Sequence, residues 1–276
     1  MLDIRQAYLY YIHMINETPK TTPDWKHLLE RAVNEPGIIS EAYSRFHGYS
    51  FGNCLLALAQ CWARGIQPGP IATYPKWAGL GRYVKRGEKA IMLCMPVTCK
   101  RKSADENEED ATFTRFTYKN NWFVLSQTDG AVYLPAVIPE WNRSAAIAGL
   151  NIQEVPFELV DGNTLGYARG REIAISPLSP DPDKTTFHEL AHILLGHTSE
   201  GKISDSDNTP RSLREVEAES VALICCESLG LSGAEYSRGY IQNWNRGAGD
   251  IPERSAQKIF HAADQILKAG RAKEGL

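Results

Sequence analysis

The chain lacks any apolar run of 18 or more residues across its 276 positions, which excludes a hydrophobic membrane-spanning helix. It shows no leader pattern at its start. Met1-Leu2-Asp3-Ile4-Arg5 mixes charges and runs into a helical pattern, so no signal peptide is expected. Cysteine is sparse: six residues (54, 61, 94, 99, 225, 226), all in apolar surroundings. That usage fits reduced thiols in a cytosolic protein and not a secreted, disulfide-built chain. Net charge is nearly absent as well. Thirty Lys/Arg stand against 33 Asp/Glu, a formal −3, so the chain taken whole does not advertise a nucleic-acid partner. No internal repeat is visible. What remains is an ordinary globular composition, 43% hydrophobic and 23% charged, at a length that suggests two domains.

The near-neutral total hides an asymmetry. Residues 1–135 hold 16 Lys/Arg and 13 Asp/Glu, and residues 136–276 hold 14 and 20. Between 62 and 102 nine basic residues face one acid, Glu88. A short acidic stretch, Asp105 to Asp110, follows and reads as a solvated loop between strands. Apolar spacing predicts helices over 3–16, 25–33 and 51–63, the last with Ser50 as a possible cap. Extended runs are expected at 90–98, 111–118 and 121–127, with a turn at Asp129-Gly130. The domain boundary is placed after Pro135. The second half predicts extended runs at 155–160 and 171–176, a helix over 182–197, a polar loop at 198–211, and helices over 212–229 and 252–269.

The strongest chemical signal is His188-Glu189-Leu190-Ala191-His192. Asp181 can cap its helix and Pro182 suits the first position. A spacing of four puts both imidazoles on one face, one turn apart, where they can hold one zinc ion. Glu189, the next residue round, can act as general base toward a water. A zinc site needs a third protein ligand. His197 is nearest, but Gly196 and His197 fall at four and five residues past His192, which misses the metzincin spacing. The better candidate lies on the next helix, with Ser212 as its possible cap. Glu215 and Glu219, four apart, share a face that continues into Ala222 and Cys226, whereas Glu217 points elsewhere. Glu215 is expected as third ligand and Glu219 as acceptor for a histidine N–H. The ion is expected to be Zn2+, with Mn2+, Co2+ or Ni2+ also acceptable to two histidines and a carboxylate.

In the first half, Arg82, Lys85, Arg86 and Lys89 crowd eight residues that follow Gly81 and contain Gly87, with Tyr74, Trp77 and Tyr83 close by. Such a segment is either a solvated basic hairpin or a surface that contacts phosphates and stacks bases of a single strand. Trp77 is more often core than platform. Asn53 and Gln60, seven apart on one helix, could add polar contacts.

Two resemblances sharpen both halves. His188-Glu-x-x-His192 followed by Glu215-x-x-Ala218-Glu219 is similar to the zinc peptidases whose third ligand is a glutamate, thermolysin and the ImmA/IrrE-type peptidases among them. The stretch from Gly166 to Ala222, with Tyr240-Ile241-x-x-Trp244 downstream, resembles the metallopeptidase domain of phage and plasmid polyvalent proteins. Tyr49-Ser50-Phe51-x-Asn53, Gln60, Trp77, Gly81-Arg82-x-Val84-Lys85-Arg86-Gly87-Glu88-Lys89 and Ser126-Gln127-Thr128 resemble blocks of the ArdC-type single-stranded-DNA-binding domain. The two in this order resemble the ArdC antirestriction architecture over about 20–135 and 150–250. Ile193-Leu194-Leu195 replaces a more polar stretch of the plasmid members, so plasmid, phage and integrative elements all stay open as sources.

The expectation is therefore an α+β protein of two domains. Residues 1–135 form an α+β domain that binds single-stranded DNA, and duplex DNA as a further option, through Asn53, Gln60, Trp77, Arg82, Lys85, Arg86 and Lys89. Residues 136–276 form a zincin-like metallopeptidase domain with Glu189 catalytic if it is active. The resemblance implies an antirestriction role for a mobile element, in the cytoplasm of the bacterial cell that receives or carries it. The alternative is a zinc protease acting on a host or repressor protein, with the basic domain as its targeting module.

Overall fold

The computed structural model describes residues 23–101, 111–158, 164–198 and 210–271. The expected helix over 3–16, the acidic stretch at 105–110, the end of the run at 155–160 and most of the loop at 198–211 lie outside those residues. The architecture is α+β, and the chain divides into two compact units. No helix among the described residues is long and apolar enough to cross a membrane.

One unit spans residues 56–135. Helix α3 (Phe51–Ala63) enters it at Leu56. Every residue of α3 from Phe51 to Cys61 is buried, the mark of a helix apolar all round. Strands β1 (Ile71–Thr73), β3 (Ile91–Arg101) and β4 (Ala111–Val124) form an antiparallel sheet in the order β1-β4-β3. The two expected runs at 111–118 and 121–127 are thus mainly one long strand, whose last residues coil into a 3-10 turn, Leu125–Gln127. The β3–β4 register slips between Ile91 and Met92. There the Gln60 amide takes the place of a strand neighbour, accepting from Met92 N–H at 2.9 Å and donating to Met92 C=O at 2.8 Å. A short helix α4 (Tyr74–Gly79) precedes β2 (Arg82–Val84), which pairs with β5 (Thr128–Gly130). Asp129-Gly130, expected as a turn, is therefore strand. Gly130 has φ 125°, and a Cβ on it would lie 2.4 Å from the Gly81 carbonyl oxygen, so only glycine allows the two chains to approach.

The other unit joins residues 24–55 to residues 136–271. The sequence reading placed 24–55 with the first domain. The physical reason for the difference lies in helix α1 (Trp25–Asn34), whose buried face is Trp25, Leu28, Leu29, Ala32 and Val33. Asp24 caps α1 at His27 N–H, and Glu253 accepts from the Trp25 and Lys26 N–H groups at 3.2 and 2.7 Å. At its other end, the buried Arg238 guanidinium donates to the Ala32 and Val33 carbonyls. Both ends of α1 are thus satisfied by side chains more than 200 residues away. Helix α2 (Ile38–Phe46) follows, then α5 (Arg143–Gly149) and strands β6 (Gln153–Glu154), β7 (Gly166–Arg169) and β8 (Glu172–Ile175) in the order β6-β8-β7. Helix α6 (Pro182–Leu194) packs on β7 and β8 and against α7 (Arg211–Leu229). α7 is enclosed by α6, α2, α8 (Ala234–Ala248) and α9 (Glu253–Ala269), and it is buried without a break from Val216 to Cys226. α7 starts at Arg211, so Ser212 lies inside the helix and is not its cap. Asp181 sits at the N-cap position of α6 but accepts from Ser232 Oγ and makes no capping bond.

Candidate metal centre

The pair predicted on α6 meets the carboxylate predicted on α7. His188 Nε2 and His192 Nε2 lie 3.1 Å apart. Glu215 Oε2 is 3.5 Å from the first and 3.7 Å from the second. Two donors each about 2.0–2.1 Å from a tetrahedral zinc stand roughly 3.3 Å apart, so these three atoms fit a single small divalent ion. Among the described residues this is the group of histidines, cysteines and carboxylates with metal-holding geometry.

The charge balance of the site agrees. Burial opposes a charged His188, yet Glu215 and Glu219 overcome it and hold its pKa up to about 9. Glu215, facing both imidazoles, is held well below the usual carboxylate range. The cluster is built to surround positive charge, supplied by protons or by a metal ion. Glu219 Oε1 lies 3.3 Å from His188 Nδ1, off the line of a directed hydrogen bond. Lys184 Nζ and Ser237 Oγ donate to the two Glu219 oxygens at 2.7 and 2.6 Å, so its position is fixed.

Glu189 is buried beside the candidate ligands, and burial foremost pushes its carboxyl pKa up. Gly166 of β7 passes directly over it. A Cβ at Gly166 would sit 2.8 Å from Thr185 Cγ2 and 3.1 Å from both Glu189 Cγ and Oε1. The strand approaches the acid this closely because it carries no side chain there.

Two residues of this site escaped sequence reasoning. His197, set aside as a ligand, places its Nδ1 3.0 Å from His192 Nδ1. Glu217, expected to point elsewhere, is buried and lies 2.9 Å from His197 Nε2. The signal that marked them was Gly196, which ends the helix and turns the chain back over His192.

The residues expected to touch DNA are not one surface. Trp77 is 1% exposed and donates to the Phe123 carbonyl, so it packs the core and offers no stacking face. Asn53 and Gln60 are buried in α3, because the whole girth of that helix is enclosed. Arg82 is spent on Thr128 and the Ala131 carbonyl, and Lys85 on the Ser126 carbonyl. Arg86 and Lys89 are exposed, as are Lys76, Tyr74 and Tyr83 on the neighbouring α4 and β2.

Residues 12–123 match the family described as the N-terminal domain of anti-restriction factor ArdC, and residues 145–226 match the IrrE N-terminal-like domain. The first match crosses the division between units at Leu55. The crystal structure of antirestriction ArdC protein from R388 plasmid, metal-free, is similar with a TM-score of 0.51 and 20% identity, over 89% of this chain and 94% of that one. Its Mn(II)-bound structure gives a TM-score of 0.48 and 19% identity, over 90% and 98%. No curated protein sequence matches.

Proposed function

For a chain of the ArdC antirestriction type, with an IrrE-like domain behind its ArdC N-terminal domain, we propose two linked capacities. It binds single-stranded DNA and so protects an incoming mobile element from host restriction, and it holds a divalent ion, Zn2+ foremost, in a site of the metallopeptidase kind. It does so in the cytoplasm of the receiving bacterial cell. The observation that carries the metal reading is the convergence of His188 Nε2, His192 Nε2 and Glu215 Oε2 beside a buried Glu189.

When bound, such an ion supplies Lewis acidity to a water and a carbonyl. His188, His192 and Glu215 would hold it, with the Glu219 carboxylate 3.3 Å from His188 Nδ1 to favour the ring's charge. Glu189 accepts the proton of the attacking water and passes it to the leaving amine nitrogen. Its raised pKa suits both halves of that exchange. Strand β7, at the edge of its sheet and alongside α6, offers backbone groups for an extended peptide. Glu189 also favours the second reading, a zinc protease of a host or repressor protein, because a purely structural site has no use for a general base.

The DNA reading is supported by Arg86, Lys89, Lys76, Tyr74 and Tyr83, which offer cations and ring faces within sixteen positions of one another. The test is paired. Metal content is measured for the wild type, Glu189→Ala and His188→Ala. Affinity for a single-stranded oligonucleotide is measured at roughly 50 and 200 mM salt. The wild type and Glu189→Ala should hold one ion and His188→Ala should lose it. Affinity should fall with salt, and Arg86→Ala/Lys89→Ala should flatten the slope. A metal-free wild type ends the metal reading, and salt-independent binding ends the DNA reading.

A further inference from the structure

His197 and Glu217 sit behind His192 in an arrangement that determines which nitrogen of His192 is bare. α6 ends in two backbone bonds: Gly196 N–H donates to the Ile193 carbonyl at 3.1 Å and His197 N–H to the His192 carbonyl at 2.8 Å. Gly196 takes φ 79° to make them. This reversal brings His197, five residues on, back over the last turn and lays its ring 5.1 Å from the His192 ring, centroid to centroid. The facing atoms are both Nδ1, 3.0 Å apart. A contact that short between two ring nitrogens carries one proton.

The rest of the chain decides which nitrogen holds it. His197 Nε2 lies 2.9 Å from Glu217 Oε2. A carboxylate only accepts, so His197 Nε2 is the protonated nitrogen. Glu217 is held in place by Ser255 of α9, which donates to it, and both Glu217 and His197 are almost fully enclosed. An ion at His192 Nε2 needs that atom bare. The proton between the rings then belongs to His192 Nδ1, with His197 Nδ1 accepting.

We propose that the His197–Glu217 pair is the positioning device of the metal centre. It locks His192 in the Nδ1–H form, turns its Nε2 lone pair toward the ion, and passes the negative charge of Glu217 to it through an imidazole. The proposal rests on the metal reading of the previous subsection. The two histidine ligands are thus supported unequally, His188 by a carboxylate 3.3 Å from its Nδ1 but off the hydrogen-bond line, and His192 by a carboxylate one ring further back.

Packing and hydrogen bonding make opposite forecasts for two substitutions. His197→Phe keeps the ring and removes the acceptor. His197→Gln loses the ring, yet its carbonyl can accept from His192 Nδ1 while its amide donates to Glu217. Zn2+ affinity is measured on full-length protein by competition with a chelator of known affinity. The expected result is a loss of about 10–100-fold for His197→Phe and a value within about threefold of wild type for His197→Gln. Unchanged affinity in His197→Phe, or equal losses in both, overturns the proposal. Should His197→Phe fail to fold, nitrogen-15 NMR of the zinc-loaded wild type decides. A proton on His197 Nε2 and on His192 Nδ1 is the expected pattern, and a proton on His197 Nδ1 overturns it. A wild type without metal removes the metal reading and this inference together. A wild type that binds, with His197→Phe binding equally well, removes this inference alone.

Discussion

Arg238→Met should be among the most destabilising single changes in this protein. The side chain is 4% exposed and carries a full charge into the unit. Its Nη2 donates to Glu227 Oε2 at 2.5 Å, and its Nη1 donates to the Ala32 and Val33 carbonyls that close α1. Glu227 in turn accepts from Gly37 N–H, just ahead of α2. Methionine fills much of the volume but donates nothing. The substitution leaves one nearly buried carboxylate without its cation, the Ala32 carbonyl without its donor, and the Val33 carbonyl with only the Gln242 amide at 3.5 Å. Removing one partner of a buried pair costs about 3–5 kcal/mol, against a total of about 5–15 kcal/mol for a native domain. Urea unfolding of the metal-loaded protein should show the midpoint lowered at an unchanged slope. Hydrogen exchange should quicken first in α1. The pair itself is worth much less than its breakage, so Arg238→Met/Glu227→Leu should recover much of the loss. A cost below about 1 kcal/mol for the single variant, or a double variant as unstable as the sum of its parts, would refute the claim that this clamp ties residues 24–55 to the C-terminal unit.

Gly166→Ala should leave metal content unchanged and lower stability by about 1–3 kcal/mol, the usual cost of overpacking, because its Cβ collides with Thr185 and Glu189 and not with a ligand. Calorimetry alongside metal analysis checks both halves of that statement. In protein stripped of metal, His188 is held up to about 9 from an ordinary value of 6.5. A raised folded pKa stabilises fully below the ordinary value and loses that contribution as pH rises through the folded one. The Tm of chelated protein should therefore drop between pH 6.5 and 9, and a flat profile there would count against the ion pairs drawn for His188. Gln60→Leu should destabilise by about 1–3 kcal/mol for each Met92 backbone group it strands and leave the salt dependence of oligonucleotide binding untouched. A flattened salt slope would put Gln60 at the DNA after all.

Much of the candidate metal centre was legible because its chemistry repeats with the helix. A four-residue spacing on α6 and another on α7 put His188, His192, Glu215 and Glu219 on facing sides before any fold was known. His197 and Glu217 were not legible, because their meeting depends on a left-handed turn at Gly196 and on how deeply α7 is buried. Helices α1 and α9 carry regular apolar faces and were found close to their observed ends, as was α7, which is buried without a break from Val216 to Cys226. α8 was missed: its Gly239 and Gly247, with Asn243 and Asn245 between them, weaken the apolar period. The residues expected at DNA differ in exposure for a different reason. A run of cations states how much charge a segment has, but not which side chains the fold's own carbonyls will claim. Arg82 and Lys85 were claimed, and Arg86 and Lys89 were not buried.

The C-terminal unit is assembled from two segments far apart in the sequence, residues 24–55 and residues 136–271, with residues 56–135 inserted between them. Synthesis therefore runs out of step with packing. Trp25 leaves the ribosome 228 residues ahead of the Glu253 that satisfies its N–H, a wait on the order of ten to fifty seconds at ordinary elongation rates. During that wait Leu28, Leu29 and Val33 have no surface to cover them. The inserted unit has no such delay, since its sheet closes as soon as β4 and β5 emerge. Nascent chains arrested near residue 180 should accordingly resist protease across β1 to β5 while α1 and α2 are still cut. A truncated product that stops short of α9 is then a natural client for chaperones.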